Sequence, residues 1–101
     1  MRTGDNVILK MKQPLLIGMA LDEKAYEGKL QRFDETEECC FILLREAMLT
    51  DISLDAVYQC EINTKIERIS CTGRVRERYH DANGKTIKFE IKNGFSKINV
   101  K

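Results

Sequence analysis

The chain alternates apolar and polar positions at a period of two over most of its length, the signature of half-buried β-strands. Asn6-Val7-Ile8-Leu9-Lys10-Met11 reads as a first short strand. A second is expected over Leu15-Leu16-Ile17-Gly18-Met19-Ala20, beyond Pro14, with Asp22-Glu23-Lys24 as a polar turn. Tyr26, Gly28 and Leu30 then share one face of an alternating segment that ends in an acidic turn, Asp34 to Glu38. Cys39-Cys40-Phe41-Ile42-Leu43-Leu44 is continuously apolar. It fits a buried strand, with a buried helix through Met48 as the alternative.

The second half is more regular. Tyr58, Cys60 and Ile62 alternate with Gln59, Glu61 and Asn63. Ile69, Cys71, Val75 and Tyr79 share one parity along a long strand, with Gly73 as a bulge or a point of close backbone approach. Ile87, Phe89 and Ile91 form the apolar face of the next strand. A three-residue loop, Ala82-Asn83-Gly84, is expected between the two, because a two-residue loop mixes the apolar and charged faces. It pairs Tyr79 with Ile87, Glu77 with Phe89 and Val75 with Ile91. It also puts Arg74, Arg76 and Arg78 together on the outer face. Asn93-Gly94 marks a further turn, after which Phe95 to Val100 closes the sheet as a strand or short helix. Regular short strands of this kind predict a mainly β domain over residues 1–101, a small antiparallel barrel of six to eight strands.

Composition narrows the functional classes. Seventeen basic and sixteen acidic side chains leave a formal charge of +1, so no global field draws nucleic acid or an anionic membrane. No apolar run reaches the ~18 residues of a spanning helix, and the first residues lack the apolar core of a signal peptide. A cytoplasmic location is expected. The four cysteines show no Cys-x-x-Cys spacing and His80 is the only histidine. A metal site is therefore not expected, and the thiols read as small core residues. No phosphate-cradling glycine loop, nucleophile elbow or Cys–His spacing suggests catalysis, and no cofactor is implied.

Asp51-Ile52-Ser53-Leu54-Asp55-Ala56 resembles the [Asp/Asn]-x-Ser-x-x-Gly motif of PilZ domains. Cys71-Thr72-Gly73-Arg74-Val75-Arg76 resembles that family's x-Gly-x-Val strand, and Ile87-Lys88-Phe89 its closing strand. The likeness runs from about Leu49 to Ile91. It implies a small intracellular bacterial β-barrel, a signalling role and, in many members, cyclic di-GMP as ligand. On that reading Asp51 and Ser53 would meet the guanine and phosphate groups, and the position of Ala56 would let backbone approach them. The family's glycine is replaced by Ala56, and no Arg-x-x-x-Arg clamp precedes Asp51. The expectation is thus a non-enzymatic regulatory module, degenerate at the nucleotide site, acting on a protein partner or as a homodimer. Its alternative is a true cyclic di-GMP receptor in which Arg74, Arg76 and Arg78 supply the missing guanidinium groups. Tyr26 to Asp34 is also similar to the Sm-type motif Tyr-x-Gly-x-Leu-x-x-Phe-Asp, which implies a small RNA-binding barrel as a second alternative.

Overall fold

The computed structural model describes residues 1–97. Six strands follow in order: β1 (Asn6–Gln13), β2 (Ala25–Asp34), β3 (Cys39–Leu44), β4 (Val57–Asn63), β5 (Arg68–Asp81) and β6 (Gly84–Lys97). They close into an antiparallel barrel in the spatial order β1-β2-β3-β6-β5-β4, with β1 sealing the wall against β4. Every strand has two neighbours, while β5 beyond Val75 and β6 beyond Ile91 are strand-paired on one side only. Among the described residues no helix is long and apolar enough to cross a membrane.

The alternation seen in the sequence becomes the inside and outside of this wall. Val7 and Leu9 from β1, Leu30 from β2 and Ile42 from β3 are buried, as are Tyr58, Cys60 and Ile62 from β4. Val75, Ile87 and Phe89 fill the remaining side, and each such side chain contributes about 1.5–3 kcal/mol on removal from water. All four cysteines are free and buried in this core or beside it. Gly73 is a point of close approach: a Cβ there would lie 2.1 Å from the Glu90 carbonyl oxygen.

Three local expectations are corrected, and the expected strand over residues 39–44 is present. Leu15 to Ala20 form no strand; they belong to the loop between β1 and β2, with their side chains exposed. Asn93-Gly94 makes no turn, because β6 runs unbroken from Gly84 to Lys97 against β5. The last part of the expected closing segment, residues 98–100, lies outside the described residues. Residues 39–44 are a strand, and no helix continues through Met48.

The third correction concerns the β5–β6 hairpin. Its loop has two residues, Ala82 and Asn83, between Asp81 and Gly84, which has a positive φ of 123°. The register shifts between Val75 and Glu77, so Arg76 sits in a bulge. That extra residue reverses the parity that a two-residue loop would otherwise scramble. Val75 pairs with Phe89 in the core, while Glu77 pairs with Lys88, Arg78 with Ile87 and Tyr79 with Thr86. Residues directly opposite one another in a ladder share a face. Arg78 therefore stands on the side of Ile87 and Tyr79 on the outer side, the reverse of the expected arrangement, and the three arginines do not form one outer row.

Candidate functional site

The connection from β3 to β4, residues 45–56, crosses the end of the barrel where β1, β3 and β5 finish. It begins exposed, makes one 3-10 turn at Leu49–Asp51, then drives Ile52 into the core with no residual exposure. The Asp51 carboxylate accepts from the Met48 N–H at 2.9 Å, closing that turn. Ser53 donates its N–H to the hydroxyl of the buried Tyr58 at 3.0 Å. Asp55 adopts a left-handed conformation, φ 63°, which Asp tolerates better than most residues. Ala56 follows it into the core, fully buried, so its methyl group is part of the packing.

The arginines of β5 hold this connection in place. Arg74 donates to the carbonyl oxygen of Asp55, whose own N–H donates to the Val75 carbonyl at 2.8 Å. Arg76 lies 2.7 Å from the Asp55 carboxylate and 3.4 Å from that of Glu90. Arg78 donates to the carbonyl oxygens of Ile52 and, at 3.4 Å, Leu49. Asp55 and then Glu90 push the Arg76 guanidinium further above its ordinary range. Lys92, and after it Arg76, hold Glu90 below the usual carboxylate range.

The structure thus brings Ser53, Ala56, Arg74, Arg76 and Arg78 to one end of the barrel, together with Asp55, which the sequence motif leaves as a variable position. Its signal was available: an Asp before a small residue at a strand entrance is a favoured left-handed turn residue. Asp51 faces a different place. It lines a cleft of about 390 Å³ with Lys24, Tyr26, Glu27, Arg45 and Glu46, whose boundary excludes the three β5 arginines. Arg45 approaches Glu27, its neighbour on the adjoining strand, to 3.8 Å on the wall of that cleft. The Tyr26 hydroxyl donates to the Asp22 carboxylate; burial and this neighbour raise the phenol above its ordinary value, while the same bond lowers Asp22.

The acidic turn after β2 is tied down locally. The Glu37 N–H donates to Asp34 at 3.1 Å, and Lys88 lies 3.1 Å from the Glu37 carboxylate. Among the described residues, no group of three or more His, Cys, Asp or Glu side chains is placed to hold a metal ion. Burial pushes the Cys40 thiol up to about 12. A hydrogen bond with Cys71, then burial, raises Cys60 well above the ordinary thiol value. Compared with family models, curated proteins and solved structures, this chain finds no match.

Proposed function

We propose that this chain is a non-enzymatic regulatory or interaction module of PilZ-like type, degenerate at the cyclic di-GMP site, that acts through contacts with protein. One observation carries the reading: the β5 arginines are engaged by the chain's own β3–β4 connection. Arg74 and Arg78 give N–H donors to the carbonyls of Asp55, Ile52 and Leu49, and Arg76 faces Asp55 and Glu90. Planar guanidinium groups recognise a phosphate or guanine edge through paired donors. Turning one of these guanidinium groups to present paired donors to a ligand gives up the bond its Nη1 makes to the connection. Asp51, the other half of the expected pair, faces a cleft bounded by both signs of charge. The buried Ala56 methyl and the absence of an upstream Arg-x-x-x-Arg point the same way.

The test is calorimetric titration of the protein with cyclic di-GMP, repeated with Ser53→Ala and Arg74→Ala. The reading expects no heat of binding at high ligand concentration. Micromolar binding that is lost in both variants would establish a nucleotide receptor with an unconventional clamp, and overturn it.

A further inference from the structure

Two asparagines of the chain precede glycine, in Asn83-Gly84 and Asn93-Gly94. At such a pair the following backbone nitrogen can reach the side-chain amide carbon, because glycine has no Cβ to obstruct the approach. The fold treats the two pairs differently. In the β5–β6 hairpin the Asn83 N–H donates to the Asp81 carboxylate at 2.8 Å, and Gly84 pairs with Asp81. Gly84 is half-buried, and a Cβ there would lie 3.2 Å from the Leu43 Cδ1. Asn93-Gly94 lies where β6 has run past β3, whose pairing with it reaches only to Glu90. On the other side Thr72 pairs with Asn93 and Ser70 with Ser96, which leaves Gly94 and Phe95 in a register shift without partner residues on β5. Asn93 and Gly94 are both exposed, and nothing stands within 4 Å of the place a Gly94 Cβ would take. Beyond them Phe95 packs edge-on against Phe33, with ring centroids 5.5 Å apart. The pair is therefore a short unpaired arc between two anchored points.

We propose that Asn93 is a modification site at which the folded protein converts itself, with water as the only co-reactant, to aspartyl and isoaspartyl forms. The Gly94 nitrogen attacks the Asn93 side-chain carbonyl carbon. The new N–C bond closes a five-membered succinimide ring; the bond from that carbon to the amide nitrogen breaks, and ammonia leaves with the proton from the Gly94 N–H. Water then adds to either ring carbonyl. Opening at the side-chain carbonyl restores the normal backbone with an aspartate. Opening at the main-chain carbonyl leaves the backbone running through the former side chain, as isoaspartate. Ring closure needs the backbone at residues 93–94 to leave the extended form. Exposed backbone outside the ladder does so at little cost, whereas Gly84 must first give up its pairing with Asp81. The order is thus opposite to the one the sequence suggests, since Asn83 occupies the hairpin loop and Asn93 a strand. Isoaspartate lengthens the main chain by a methylene at a point where the register already slips, outside the core, so the barrel persists. Either product places a carboxylate beside Lys92 and takes the formal charge from +1 to neutral.

The test is a time course of the purified protein in mildly alkaline buffer, followed by proteolysis and mass spectrometry of the peptides holding residues 83 and 93. The same course is run on the protein unfolded in urea and on Gly94→Ala, whose added methyl meets open space and should leave the melting curve unchanged. In the folded protein, amide is expected to become acid at Asn93 ahead of Asn83 at every time point, as two chromatographically separate products. Gly94→Ala should lose most of the conversion at Asn93 and none at Asn83. In urea the preference should vanish, because only the fold distinguishes the two pairs. Conversion of Asn83 first or at an equal rate in the folded protein would overturn the assignment. So would an Asn93 that stays intact while the unfolded chain reacts, a preference that survives in urea, or a rate at Asn93 indifferent to Gly94→Ala.

Discussion

Arg78 and Ile52 meet at the mouth of the barrel, the guanidinium of one donating to the backbone carbonyl of the other. Ile52 carries the chain into the core, where its carbonyl has no strand partner, and a side chain from β5 supplies the donor. Replacing Arg78 by Ala leaves that acceptor and the Leu49 carbonyl without it. The expected loss is about 1–2 kcal/mol in urea unfolding. Arg76→Ala should cost clearly less than Arg78→Ala, because its partners Asp55 and Glu90 remain in reach of water. Equal losses would show that charge, not backbone satisfaction, holds the connection.

Gly73 pairs with Ile91, and its Cα lies so near the next residue of β6 that a methyl group would overlap the Glu90 carbonyl carbon as well as its oxygen. Both atoms belong to a strand held between two neighbours and cannot withdraw. Gly73→Ala is expected to destabilise by about 3 kcal/mol, at the upper end of overpacking costs. A melting temperature within a degree or two of the parent would contradict the close approach.

The bond between Tyr26 and Asp22 has a definite pH window. The Asp22 carboxyl is held below its ordinary 3.8, so its contribution is complete above about pH 4 and is lost as the pH falls through the lower folded value. The Tyr26 phenol is raised above its ordinary 10.0, so its share is complete below about pH 10 and lost as the pH rises through the folded value. Asp22→Asn should therefore cost about 1 kcal/mol at pH 7 and progressively less below pH 4. Thermal unfolding of both proteins across that range measures it. A difference that persists unchanged at pH 2 would rule the ionised bond out.

Thiol chemistry offers a test of burial. With Cys40 pushed up to about 12 by burial and Cys60 raised well above the ordinary thiol value by its hydrogen bond to Cys71, neither has appreciable thiolate at pH 8. Modification by a disulfide reagent should proceed only as fast as the protein opens, and should accelerate in parallel with unfolding in urea. Immediate labelling of Cys40 or Cys60 in the native state would contradict the core.

How far the sequence could be read differs between faces and connections. Strand faces such as Tyr58-Cys60-Ile62 were legible because each inward position must be apolar and each outward one polar. The hairpin departs from its sequence pattern at one residue. Parity argued correctly that a two-residue loop conflicts with the pattern, but the conflict is absorbed by a bulge at Arg76, several residues from the turn. Nothing in Arg-Val-Arg-Glu-Arg distinguishes an arginine on the outer wall from one turned to the mouth. That depends on carbonyls of Leu49, Ile52 and Asp55, brought there only by the closed fold. Leu15 to Ala20 look like a strand to any pattern rule, since apolar residues are ordinarily buried. Asn93-Gly94 looks like a turn because that dipeptide favours one, yet β6 continues through it as a strand, and the irregularity appears as a register shift against β5 between Asn93 and Ser96.

The seam between β1 and β4 also governs how the barrel assembles. Val7 pairs with Ile62, and Cys40 with Phe89, so each closure joins segments far apart in the chain. Emerging from a ribosome, β1 through β3 can form a curved sheet, but its two borders stay unpaired until β4 and β6 arrive. Folding dominated by such distant pairings falls in the millisecond-to-second range. During that interval the nascent sheet presents the same unpaired backbone that the finished barrel conceals, so protection by a chaperone matters most before β6 is synthesised.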